Sequence, residues 1–211
     1  MTSFQHIQPA RKMQQFDYTA AIAKVCYDVT FRVPALNHID MNRVAISFSQ
    51  TRHSAPLGIF ACVTPLRFKD GSLTKSVRGN EWTLQRCFND DGLEYLYIIY
   101  FYIPRFIELR LSQKLETIVH ELYHISPLFN GDLRRFAGRC STHGSSQKKY
   151  DQVVQGLVDH WLKQNPPENI WDFLRLTYND IIKNHGSIIG TRIPFPKIIP
   201  LNKNDKTKSV R

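Results

Sequence analysis

The sequence predicts an α+β fold: a single domain over residues 16–201, with a small mixed or antiparallel sheet packed on a central helix and on further helices. Three observations predict it. Short alternating or continuous apolar runs, residues 44–48 and 95–102 among them, fill the first half of the chain. Helical stripes fill the second half, the clearest being Tyr150, Val153, Val154, Leu157, Val158, Trp161 and Leu162. The length of 211 residues, 42% of them hydrophobic, suffices for one core and falls short of two full domains.

In chain order, residues 17–30 read as a helix, with Ile22, Val25, Cys26 and Val29 on one face, Asp17 as its cap and Pro34 as its stop. Residues 43–51 alternate Val44, Ile46 and Phe48, as a half-buried strand does. Residues 57–68 form a second strand region. Residues 82–88 and 94–103 are predicted to pair as a hairpin about Asn89-Asp90-Asp91-Gly92. The second of these has no polar face, so it reads as a covered strand. A helix over residues 113–125 stops at Ser126-Pro127. Asp132 is read as the cap of a short helix over residues 133–136. A helix over residues 146–164 is capped by Ser145 or Ser146, and another covers residues 169–184. Residues 193–201 are predicted to be extended. Residues 1–15 read as a flexible N-terminus and residues 202–211 as a basic disordered tail.

Composition narrows the function classes. Residues 96–107, the most apolar stretch, are too short to span a bilayer, and residues 1–15 lack the apolar run of a signal peptide. No membrane partner is expected. Cys26, Cys62, Cys87 and Cys140 are scattered without paired spacing, which favours reduced thiols and a cytoplasmic protein. The net charge of +10 points to an acidic partner, nucleic acid or an acidic protein surface. A basic surface that merely keeps the protein soluble accounts for it equally, because no nucleic-acid-binding motif accompanies it.

His120-Glu121-Leu122-Tyr123-His124 carries the chemistry. It reads HExxH between the apolar flanks Ile118-Val119 and Ile125. Residues four apart share a helix face, so His120 and His124 can address one metal ion from the same side. Glu121 is rotated to the edge of that face, where it can reach a water held by the metal. One Zn²⁺ suits a set of imidazoles. A catalytic zinc site needs a third protein ligand and an open fourth position. His143, in His143-Gly144-Ser145-Ser146 at the mouth of the next helix, is the first choice. Asp132 and Cys140 are rivals: Asp132 would add an oxygen, and Cys140 together with His143 would close the site and make it structural. Glu116, one turn before His120, is expected to face solvent. Tyr150 is a candidate donor to a developing oxyanion, with core packing as its other role. Asp151 could accept a ring N–H from a ligand histidine. Arg134, Arg135 and Arg139 are expected to pair with Asp132 or Asp151 rather than to bind an anion.

HELYHISP, then GDLRRFAGR, then HG followed by SS and, after a gap, Tyr150-Asp151, resemble a family of phage metallopeptidases. The resemblance extends over roughly residues 15–200 and includes Pro65-Leu66-Arg67-Phe68. More distantly, the HExxH helix followed by a His-Gly pair is similar to SprT-like zinc proteases, although the gap between His124 and His143 is longer than in that pattern. The resemblance implies a zincin-like metalloprotease fold with His120, His124 and His143 as zinc ligands and Glu121 as general base. Three functions follow as expectations: a zinc metalloendopeptidase acting on protein or peptide substrates, a nucleic-acid-associated protein with DNA-bound substrates, or a regulatory peptidase that cuts one specific partner.

Overall fold

The computed structural model describes residues 14–51, 58–136 and 146–201. It is a mixed α+β arrangement, as the sequence predicts. A first short strand, β1 (Phe16–Asp17), leads into α1 (Tyr18–Arg32), and the Asp17 carboxylate accepts from the Ala20 N–H at 2.9 Å. That bond satisfies one of the amide donors a helix start leaves unpaired. Then come β2 (Val44–Gln50) and β3 (Ala61–Pro65), followed by β4 (Thr74–Val77), β5 (Asn80–Leu84) and β6 (Tyr97–Ile103). The helices α2 (Leu111–Tyr123) and α3 (Gln147–Lys163) come next, with Ser146 capping α3. Short α4 (Glu168–Trp171), α5 (Tyr178–His185), β7 (Ile188–Ile189) and β8 (Ile198–Pro200) complete the order.

The central sheet is mixed, with order β2-β6-β3; β6 runs parallel to β2 and antiparallel to β3. Its middle strand is buried on both faces. Tyr97, Ile99, Phe101 and Ile103 face the main core with α1, α2 and α3, while Ile98 and Tyr100 face a smaller cluster with Ala45 and Leu66. This two-sided burial explains why residues 97–103 show no polar alternation. A buried link joins α1 to α3: Trp161 Nε1 donates to Asp28 Oδ2 at 2.8 Å, and Arg32 Nε clamps the same carboxylate at 2.8 Å.

Two predicted elements form differently. The turn at residues 89–92 exists, with Gly92 at φ +78°, but its arms meet only at one bridge, Phe88 to Glu94. β5 pairs instead with β4 and β8 in a separate three-stranded sheet, and β6 is taken by the central one. The helix predicted over residues 169–184 is broken into α4, a 3-10 turn (Asp172–Arg175) and α5. At the break, the carbonyls of Leu174 and Leu176 accept from the ammonium of Lys114, at 2.8 and 2.9 Å. Thr177 and Asp180 then restart the chain as a capping box. Lys114 is only 2% exposed on α2, and burial pushes its ammonium down to about 8. No helix of the described residues is long and apolar enough to cross a membrane. Cys26, Cys62 and Cys87 are free thiols.

Lys114→Met should strand both carbonyls and cost about 1–3 kcal/mol of stability. A drop in the urea unfolding midpoint is the measurement, and an unchanged midpoint would show that the break is held by packing alone.

Candidate metal centre

The α2 helix forms because Leu115, Ile118, Val119 and Leu122 make one apolar face, all buried in the core. Its C-terminal end is fixed by Arg134, whose backbone N–H donates to His124 O and whose Nε donates to Tyr123 O at 2.7 Å. A cation there also answers the negative end of the helix dipole. The guanidinium lies over the Tyr123 ring, 4.2 Å from its centroid. The expected pairing of Arg134 with a carboxylate is therefore replaced by a helix carbonyl, while Arg135 takes Asp132.

On the other side of α2 the HExxH side chains converge. His120 Nε2 and His124 Nε2 stand 2.9 Å apart, with their rings nearly perpendicular at 80°. Two nitrogens each bound to one zinc at 2.0–2.1 Å would lie roughly 3–3.5 Å apart, so the pair is within a small adjustment of sharing an ion. Tyr150, from α3, sets the tautomer. Its hydroxyl lies 3.4 Å from His120 O and 3.2 Å from His124 Nδ1. If the hydroxyl donates to the carbonyl, it accepts from a His124 Nδ1–H, the tautomer that turns the Nε2 lone pair toward His120. At that distance one ring can donate its N–H to the other, and with both nitrogens deprotonated the pair can share a cation, for which imidazole nitrogens suit zinc.

Tyr150 is 3% exposed, and its hydroxyl is on the Nδ1 side of His124, away from Nε2. Touching the His124 ring and the His120 carbonyl, it has the geometry of a positioning residue. The Nδ1 side of His124 is taken by Tyr150 rather than by Asp151. Asp151 accepts instead from Gln147 Nε2 at 2.7 Å.

Glu121 is 6% exposed, and its Oε2 accepts from the Val63 N–H of β3 at 2.8 Å. Burial pushes its carboxyl up to about 7, against the opposing pull of that N–H. His120 and Glu121 open on a cleft of about 310 Å³, walled by Phe60, Ala61, Leu109 and Val154. Glu116 also lines it, half-buried, where the sequence placed it in solvent. Val63 could not be found from sequence, because the signal lies in a strand register rather than in a motif.

His143 and Cys140, like Arg139, lie outside the described residues. Among the described residues, no group of three or more His, Cys, Asp or Glu side chains could hold a metal ion. Asp132, the oxygen rival, is fully engaged. It accepts from the N–H groups of Asp70 and Leu133 at 2.8 Å each and takes Arg135 bidentately at 2.8 and 2.9 Å. The short helix that Asp132 was to cap does not form; Leu133 bridges back to Ile125 instead. Burial alone would raise the Asp132 carboxyl, but Arg135 and the two N–H groups hold it below the usual 3.8. Compared with family models, with curated proteins and with solved structures, the chain finds no match in any of the three.

Asp132→Ala should cost about 1–3 kcal/mol through the unpaired donors it leaves behind. Because the native carboxyl is depressed, its contribution is present above the ordinary value and lost as pH falls through the native one. Unfolding curves taken from pH 6 down to pH 2 should therefore converge for the wild type and the variant. A constant gap would remove Asp132 from the acid response.

Proposed function

We propose that this chain is a zinc-dependent metallopeptidase with a zincin-like fold, hydrolysing peptide bonds of a protein substrate. The observation that carries the reading is the pair of His120 and His124 Nε2 atoms at 2.9 Å, beside a buried Glu121 carboxyl on the same cleft. His120 and His124 would hold the ion, with His143 as third ligand on the strength of the sequence pattern. Zinc bound there would supply Lewis acidity, making water reactive near neutral pH and polarising the carbonyl under attack.

The residues of the chain then have separate duties. Oε2 of Glu121 is held by Val63, which leaves Oε1 to take the proton of the attacking water and return it to the leaving nitrogen. β3 is an edge strand. The Val63 N–H points away from β6, and in an antiparallel ladder alternate residues turn the same way, so Ala61 offers its backbone groups on that side too. An extended substrate can pair there and lie across the cleft. The +10 charge favours a second reading, in which the substrate is itself bound to nucleic acid.

Glu121→Gln should keep bound zinc and lower peptide cleavage about 10²–10⁴-fold; unchanged cleavage would take Glu121 out of the mechanism. Metal content by mass spectrometry should fall with His143→Ala and persist with Asp132→Ala and Cys140→Ala. Loss with Cys140→Ala would mark a closed, structural site. Tyr150→Phe should weaken zinc affinity roughly 10–100-fold without unfolding the protein, as read by competition with a chelator. Wild-type affinity in that variant would reduce Tyr150 to a packing residue.

A further inference from the structure

Charge in the cleft runs opposite to charge in the chain. The protein carries 28 Lys and Arg against 18 Asp and Glu, yet the cleft is lined by Glu116, Glu121 and Asp151 and by no lysine or arginine among the described residues. Glu116 sits one turn before His120, on the same face of α2. Asp151 comes from α3 and holds only the neutral amide of Gln147. Among the described residues, neither Glu116 nor Asp151 has a cation partner. Between the two carboxylates the wall is apolar, built by Phe60, Leu109 and Val154. At about 310 Å³ the cavity is at the small end of ligand pockets and suits one long side chain.

A lysine or arginine matches this combination. Its aliphatic stem covers apolar wall while its charged head reaches carboxylate. We propose that the cleft takes a lysine or arginine side chain of a bound protein segment, which on the peptidase reading above is a residue flanking the scissile bond. Away from any bound ion, an acidic side chain or a phosphate beside Glu116 and Asp151 would meet two carboxylates and be disfavoured, so the same feature rejects as well as selects. A nucleic acid that neutralises the basic charge of the chain would have to lie elsewhere on its surface.

The test uses three matched fluorescent peptides that differ only in a central Lys, Ala or Glu. Their binding is measured to zinc-loaded Glu121→Gln protein, and their cleavage by the zinc-loaded wild type. The Lys peptide should bind roughly tenfold tighter than the Glu peptide, with Ala between. Glu116→Gln and Asp151→Asn, alone and together, should narrow that ratio, the pair to under about twofold, and added salt should narrow it too. Equal binding of the three peptides, or a ratio unmoved by the substitutions, overturns the selection even if the wild type cleaves all three. Binding of none of them also overturns it. A Lys preference in binding with no cleavage by the wild type supports the selection and overturns the peptidase reading.

Discussion

The α2 helix is wedged between the sheet and α3, and its burial governs what the site can do. One face is committed to the core through Leu115, Ile118, Val119 and Leu122. The helical period then leaves Glu116, His120 and Glu121 no choice but to turn toward the cleft. Each neighbour adds one fixed point. Val63 of β3 holds the Glu121 carboxylate, Tyr150 of α3 holds the His124 ring, and Arg134 holds the helix end. None of these contacts is strong alone, at about 0.5–3 kcal/mol each. Together they leave the side chains of this helix end little rotational freedom, which is how a rigid scaffold lowers the entropic cost of binding.

The carboxyl of Glu121 shows how burial and hydrogen bonding compete. An N–H donor favours the charged form, and desolvation opposes it; here desolvation wins, and the group sits near neutrality. Asp132 is the counterexample in the same protein. It exposes as little area as Glu121, 5% against 6%, but lies at a shallower depth, so burial opposes its charge less. Its extra donors, Arg135 above all, reverse the outcome. The two carboxyls are separated by their depth and by the number of donors around them.

Local signals were legible where local physics decides. Asp17 and Ser146 cap the helices they were expected to cap, and α1 and α3 fall on the stripes that predict them. The HExxH spacing located the paired imidazoles without any tertiary information. What the sequence hid is non-local. Residues 82–88 and 94–103 carry a good turn between them, yet each strand finds better partners elsewhere, β5 in β4 and β8, β6 in β2 and β3. Residues 169–184 keep a helical composition, but the buried ammonium of Lys114 captures two carbonyls from a distant helix and stabilises a break. Tyr150 sits on a core stripe, and only the packing of α3 on α2 reveals that its hydroxyl is spent on His124.

The parallel pairing of β2 with β6 also bears on the order of events during folding. Val44 lies opposite Tyr97, and the entire stretch containing β3, β4 and β5 intervenes. Such a contact must close a large loop before it gains anything, so the central sheet is a slow, high-contact-order step. The helix bearing both imidazoles is made after β6 and needs the finished sheet to lean on. A nascent or half-collapsed chain therefore has no assembled cleft, and the cleft is among the last features the chain completes.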